Sequence, residues 1–311
     1  VFSYAFIALF TVALTWAYVA PFVYERILNP LALLLGVPVV FILFIYAAKK
    51  ILATDEARLK KYNRIIILVY VIFQAIILSM DTLNFSDGAE IENEAHYMLN
   101  YGKFSGERYF LVYPNNITPT IILYWIYRIA AFLHISEVWM LHIFCFLVTT
   151  ATIFLTYKTA GKLLTKQKQT IILGLMILYI PFQMYSLFYY SDTLMVIMVA
   201  LIIYVLIPSD GSFIFRTKHI VAVAILVAFA WNLRSNIIII LPALIVYLLF
   251  FKWYKNLVLL LVTFGIAFVF FGKGFDMLWA HYGFWKDDGY RFPMLHWVMM
   301  GMSIQGGSYN W

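Results

Sequence analysis

The 311-residue sequence predicts an all-α polytopic membrane protein, with about nine transmembrane helices and one large external loop containing juxtamembrane helices. Three observations lead there. Hydrophobic residues make up 64% of the chain and charged residues 12%, about half the ~25% of an ordinary soluble domain, and the mean hydropathy is +0.88. Apolar stretches close to the ~20 residues that cross a bilayer core recur almost from end to end, without the dyad alternation of a transmembrane barrel. The cations lie in short connections between those stretches, so the net charge of +7 reads as topology and not as a nucleic-acid surface. The one cysteine, Cys145, sits in an apolar run, which excludes an intramolecular disulfide framework and a cysteine-based metal cluster.

In order, the apolar stretches are 1–24, 31–48, 65–80, 117–133, 138–157, 171–188, 193–207, 220–233, 235–251 and 257–275. The connection 49–64 holds Lys49, Lys50, Arg58, Lys60, Lys61 and Arg64, and 158–170 holds Lys158, Lys162, Lys166 and Lys168. The positive-inside rule assigns both to the cytoplasm. If 117–133 and 138–157 both crossed, parity would put the second basic connection outside. The stretch 117–133 contains Pro119 and Arg128 and is amphipathic, so it is expected to lie in the interface. Nine spans follow, with the N-terminus inside. Cytoplasmic segments then hold 14 of the 22 cations but only 3 of the 15 acids, which makes the sidedness self-consistent.

This topology divides the chain into 1–64, N-terminal transmembrane helices of unassigned role; 65–275, a transmembrane core with external loop 81–137; and 276–311, an external segment. Residues 1–24 lack the charged n-region and cleavage site of a signal peptide and read as a retained helix. The polar, Gly-rich stretch ending at Trp311 leads us to expect a further C-terminal part.

External loop 81–137 is acidic, with Asp81, Asp87, Glu90, Glu92, Glu94, Glu107 and Glu137, and binding or catalysis is expected there. Ile91, Ala95, Met98 and Leu99 mark one apolar helical face that begins after Asp87. Asp87 is therefore either a helix cap or a functional carboxylate at a helix start. Asp192 stands in a very short external turn, where it is either a solvated turn residue or a second site acid. Arg234 lies in a tight external turn between two spans, and it either snorkels to headgroups or binds an anion, because an unpaired Arg at membrane depth is costly. Two carboxylates and an arginine from three places in the chain, all at one membrane face, point to an anionic, lipid-borne substrate met by a base. The six histidines show no metal-ligand spacing, and the tyrosine and tryptophan runs default to interfacial belts. Asn84-Phe-Ser86 and Asn116-Ile-Thr118 match the N-glycosylation pattern.

Several motifs in order resemble the GT-C superfamily of polyprenyl-phosphate-dependent glycosyltransferases. They are Asp87 with its juxtamembrane helix and Gly102, Tyr113-Pro114-Asn115-Asn116, the apolar helix Ile121 to Trp125, Tyr190-Ser191-Asp192, and Arg234. Phe292-Pro293, His296-Trp297, Met299 to Gly301, Gly306-Gly307 and Tyr309-Asn310 resemble a late external segment of bacterial relatives. The sequence is most similar to the protein mannosyltransferase and aminoarabinose transferase branch, over about 80–311. It departs where Gly88 follows Asp87, a place where mannosyltransferases tend to show Glu, and this leaves Glu90 as a candidate for the displaced contact.

The resemblance implies inverting transfer of a sugar from a polyprenyl-phosphate donor to an acceptor hydroxyl on the external face of a bacterial cytoplasmic membrane. A carboxylate must take the acceptor's proton, and Asp87 is the expected base. Arg234 is expected to bind the donor phosphate, and Asp192 to orient the acceptor or hold a metal. Tyr113, Asn115, Asn116, Glu90 and His296 are further site candidates. An oxygen-rich site suits Mg²⁺ or Mn²⁺, with Asp87, Asp192 or Glu90 as ligands, although no fixed ligand motif is present. The expected partners are the lipid-linked donor, membrane lipids and an envelope acceptor, whether protein, polymer or glycolipid, with no nucleic acid. The competing function is a secondary transporter or flippase for an anionic lipid or sugar, which would place such residues at the midplane of a repeated fold.

Overall fold

The computed structural model describes residues 30–80, 87–209 and 216–285. The expected span 1–24, Asp81, the sequon at 84–86 and the late motifs with His296 lie outside the described residues.

Helices follow one another with short connections: α1 (Pro30–Leu52), α2 (Glu56–Ile77), α3 (Asp87–Tyr101), α4 (Arg108–Val112), a 3₁₀ turn Pro114–Asn116, α5 (Ile117–Leu133), α6 (Glu137–Leu163), α7 (Lys166–Leu178) and α8 (Ile180–Gln183). After a 3₁₀ turn at Met184–Ser186 come α9 (Ser191–Leu206), α10 (Thr217–Trp231), a 3₁₀ segment Ser235–Ile239, α11 (Ile240–Phe250) and α12 (Tyr254–His281). No strand occurs among the described residues. Three helical segments are long and apolar enough to cross a membrane: Pro114–Leu133, Glu137–Leu163 and Tyr254–His281. A fourth arises if Lys166–Leu178 and Ile180–Ser186, bent by 69°, form one span. The helices at 191–206, 217–231 and 235–250 are apolar but shorter. The described residues thus give three or four such spans against the nine expected. The stretch 117–133, expected in the interface, falls within Pro114–Leu133, which meets the length and composition of a span, and most of that segment is buried within the protein.

The basic connections are also shorter than the sequence implied. Helices α1 and α2 are separated by three residues, because Asp55 accepts the Arg58 N–H at 2.9 Å and starts the second helix at once. Most of the cations of 49–64 therefore stand on helix ends.

The chain forms two compact units. The first comprises residues up to Ser79 and Ile153–Tyr185. Its buried polar contacts are neutral amides. At the 69° bend Pro181 offers no N–H, and the Gln183 amide donates to the Met176 carbonyl at 2.6 Å, satisfying a group that the broken helix leaves open. Gln74 in turn donates to Gln183 at 2.7 Å. A Cβ at Gly161 would collide with the Gln169 amide, which itself donates to the Tyr157 carbonyl.

The second unit comprises Met80–Thr152 and Ser186 onward. Ile91, Ala95 and Met98 on α3 are fully buried, as the periodicity of that helix predicts, and α3 packs on α5. Burying an Ile or Met side chain is worth about 1.5–3 kcal/mol, so this stripe fixes the helix that starts at Asp87. The start of α5 is pinned twice: Trp279 Nε1 donates to Thr118 Oγ1 at 3.1 Å, and the Tyr189 hydroxyl donates to the Pro119 carbonyl at 2.7 Å. Helix α10 packs against α9 and α12 around Val223, Val227 and Leu260.

Candidate active site

Four short stretches of the second unit bring their polar groups together. Asp87 is the first residue of α3, where free backbone N–H groups and the helix dipole favour an anion. Tyr190 precedes α9 in extended conformation, and its N–H donates to Thr193 Oγ1 at 3.3 Å. The Tyr190 hydroxyl donates to Asp87 Oδ2 at 2.9 Å. Burial first and Asp87 second push this phenol up to about 12, while Asn116 and Arg234 act in the opposite direction. It therefore stays protonated at neutral pH.

Arg234 follows α10 with an extended backbone, its N–H held by the Ala230 carbonyl at 3.0 Å. Its Nη1 lies 2.7 Å from Asp192 Oδ1 and donates to Ser191 Oγ at 2.8 Å. The guanidinium carbon stands 5.6 Å from the centre of the Tyr190 ring, a cation–π distance. The Arg234 and Asp192 side chains are 27% and 39% exposed, so solvent screening leaves the pair little net stabilising value. Its consequence is orientation. Both contacts use Nη1, and among the described residues none engages the Nε–Nη2 edge, the fork geometry that matches a phosphate.

The fourth contribution comes from α4 and the 3₁₀ turn that follows it. Asn115 Nδ2 donates to Asn116 Oδ1 at 2.9 Å, and Asn116 Nδ2 donates to the Tyr109 hydroxyl at 2.5 Å. Burial, then Asp87 and Tyr190, raise the Tyr109 phenol well above its ordinary value. Tyr113 stacks on Tyr109 with ring centres 5.1 Å apart. Asn116 is fully buried, so the sequon Asn116-Ile-Thr118 offers no accessible acceptor in the folded chain.

Asp87, Asp192, Arg234, Tyr113, Asn115 and Asn116, singled out from the sequence, thus converge on one cluster. Asp192 engages Arg234 directly. Glu90 stands on the same helix one turn on, half-buried, and among the described residues it makes no hydrogen bond or ion pair to the cluster. Tyr109, Tyr190 and Ser191 are the residues that the sequence reading passed over as site members. The signal for two of them was present, since Tyr190 and Ser191 directly precede Asp192; Tyr109 carried none beyond lying four residues before Tyr113. Among the described residues no group of three or more His, Cys, Asp or Glu side chains is arranged to hold a metal ion. His96 lies 3.2 Å from Glu137 and 3.9 Å from Glu92 in a separate group.

Apolar helices of this length and composition are those of a multi-pass membrane protein. The family model described as dolichyl-phosphate-mannose-protein mannosyltransferase matches residues 118–272, and this match supports the GT-C glycosyltransferase superfamily. The matched stretch contains Asp192 and Arg234 and ends short of Asp87 on the N-terminal side. No curated protein and no solved structure matches the chain.

Proposed function

We propose that the protein is an inverting glycosyltransferase that moves a sugar from a polyprenyl-phosphate donor to an acceptor hydroxyl on the external membrane face. The observation that carries this reading is the bridge Asp87–Tyr190–Arg234, which sets a carboxylate at the hydroxyl and a cation over the ring of one phenol. Asp87 takes the proton of the acceptor hydroxyl as its oxygen bonds to the anomeric carbon. The bond from that carbon to the phosphate oxygen breaks, and the electron pair leaves with the phosphate. Negative charge grows on the departing lipid phosphate, and Arg234 meets it with its Nε–Nη2 edge while Asp192 and Ser191 hold Nη1. Asp192 is then an orienter of the arginine rather than of the acceptor. No step is routed through a divalent cation, whose ligands would have to come largely from the donor phosphate.

The test is turnover of Asp87→Asn with a short-chain prenyl-phosphate sugar. An amide keeps shape and hydrogen bonding but cannot accept the proton, so a fall of about 10²–10⁴-fold is expected in a protein that still folds and binds donor. Unchanged turnover would reduce Asp87 to a helix cap and overturn the reading. The family match favours this function over the transporter or flippase.

A further inference from the structure

We propose that Tyr190 and Tyr109 are positioning residues for the Asp87 carboxylate, Tyr190 holding one oxygen and the Asn115–Asn116 pair setting the direction of the Tyr109 proton. The inference rests on the reading of Asp87 as the base. A carboxylate that must meet an incoming hydroxyl has two oxygens and a free rotation about its terminal bond, and a base gains from having one oxygen held while the other faces the substrate. The Tyr190 hydroxyl holds Oδ2 at 2.9 Å. That leaves Oδ1 for the acceptor's proton.

The geometry around Tyr109 assigns its proton. Asn116 Oδ1 receives the Asn115 amide, so the Nδ2 end of the Asn116 side chain is turned to Tyr109. Asn116 Nδ2 therefore donates to the Tyr109 oxygen, whose own hydrogen must point elsewhere, and Asp87 is the charged acceptor that acts on this phenol. Asn116 is fully buried and leads into α5, whose first turn is tied by Tyr189 and Trp279, so the relay is anchored in the core rather than in a mobile loop. Burial keeps both phenols protonated at neutral pH, so they act as donors throughout and take no proton in the reaction. The Tyr-Pro-Asn-Asn motif acquires a physical purpose: it steers a hydroxyl on α4.

Tyr190→Phe isolates the effect. It removes the hydroxyl and keeps the ring under Arg234. A hydrogen bond to a charged group corresponds to roughly ten- to a hundredfold in rate when lost. The expected result is a fall of about tenfold or more in kcat, an unchanged KM for the lipid donor, and an unchanged melting midpoint. Tyr109→Phe should lower kcat in the same manner, but it also strands the buried Asn116 amide, so its midpoint should fall as well. Wild-type kcat in Tyr190→Phe, or a loss confined to KM or to the midpoint, would overturn the positioning role. The parent reading fails separately, on turnover retained by Asp87→Asn.

Discussion

Of the four carboxylates on helix α3, Asp87 and Glu94 stand seven residues apart on nearly one face, and their surroundings differ in kind. Glu94 is buried, and both of its oxygens are taken by one residue: Ser105 donates its backbone N–H to Oε1 at 2.6 Å and its hydroxyl to Oε2 at 2.5 Å. The Ser105 hydroxyl also accepts the Glu107 N–H at 3.2 Å, so the group closes the turn that follows α3. Asp87 is only half-buried, has one oxygen held by Tyr190, and faces a second phenol and an arginine belonging to the same cluster. A carboxylate satisfied by its own loop is a clasp; one held by side chains of other segments, in a cluster that also contains a cation, has capacity for a substrate. The first unit sharpens the contrast, because its buried polar contacts, Gln74 with Gln183 and Gln169 with Tyr157, are neutral throughout.

The largest effect should separate the two acids directly. Asp87→Asn is expected to cost about 10²–10⁴-fold in kcat, whereas Glu94→Gln should leave kcat within about twofold. Equal losses in the two variants would break the distinction. Next in size is Arg234→Lys, which keeps the charge and loses the planar fork. We expect kcat to fall roughly tenfold or more with a smaller change in donor KM, since the phosphate gains charge only as its bond to the sugar breaks. Wild-type kcat in the Lys variant would make Arg234 a headgroup anchor. Smaller again is Glu94→Ala, which strands both Ser105 donors and should cost about 1–3 kcal/mol in stability, read by denaturation in detergent, with turnover per folded molecule preserved.

Helix α3 and its first residue were legible in the sequence, because Ile91, Ala95 and Met98 repeat at helical spacing and an amphipathic helix of that kind buries its stripe. The meeting of Asp87, Asp192 and Arg234 was legible through shared sidedness. Their pairing was not: charge patterning says which groups lie near one face, but the 2.7 Å contact of Arg234 with Asp192 depends on how α9 and the segment after α10 are packed. Tyr109 and Tyr190 stayed hidden for a different reason. The chain has 23 tyrosines, and in a membrane sequence the belt explanation absorbs each of them, while α4 spans five residues and has too little periodicity to show a face. The bend at Tyr179 had a local signal in Pro181, but a single apolar stretch at 171–188 read as one straight span. Short helices such as 217–231 were counted as crossings on hydropathy alone, which does not measure helix length.

The smallest predicted effect concerns pH and turns on the sign of one shift. Burial raises the Glu94 carboxyl above its ordinary value; the two Ser105 hydrogen bonds oppose that rise, and the charge of Glu107 adds to it. A raised value means that the folded chain binds this proton more tightly than the unfolded chain does. The stabilising contribution is then complete below the ordinary carboxylate range, near 4.5 for an unperturbed glutamate, and is lost as pH rises through the raised folded-state value. Glu94→Gln fixes a neutral side chain and removes the titration. The melting midpoint of the wild type relative to Glu94→Gln should therefore be highest near pH 4 and decline towards neutrality, by a degree or so on the order expected for a fraction of a kcal/mol. A wild-type advantage that instead grew with pH would show that Ser105 favours the ionised form outright, and the clasp would then be ionic rather than a buried acid held against its own desolvation.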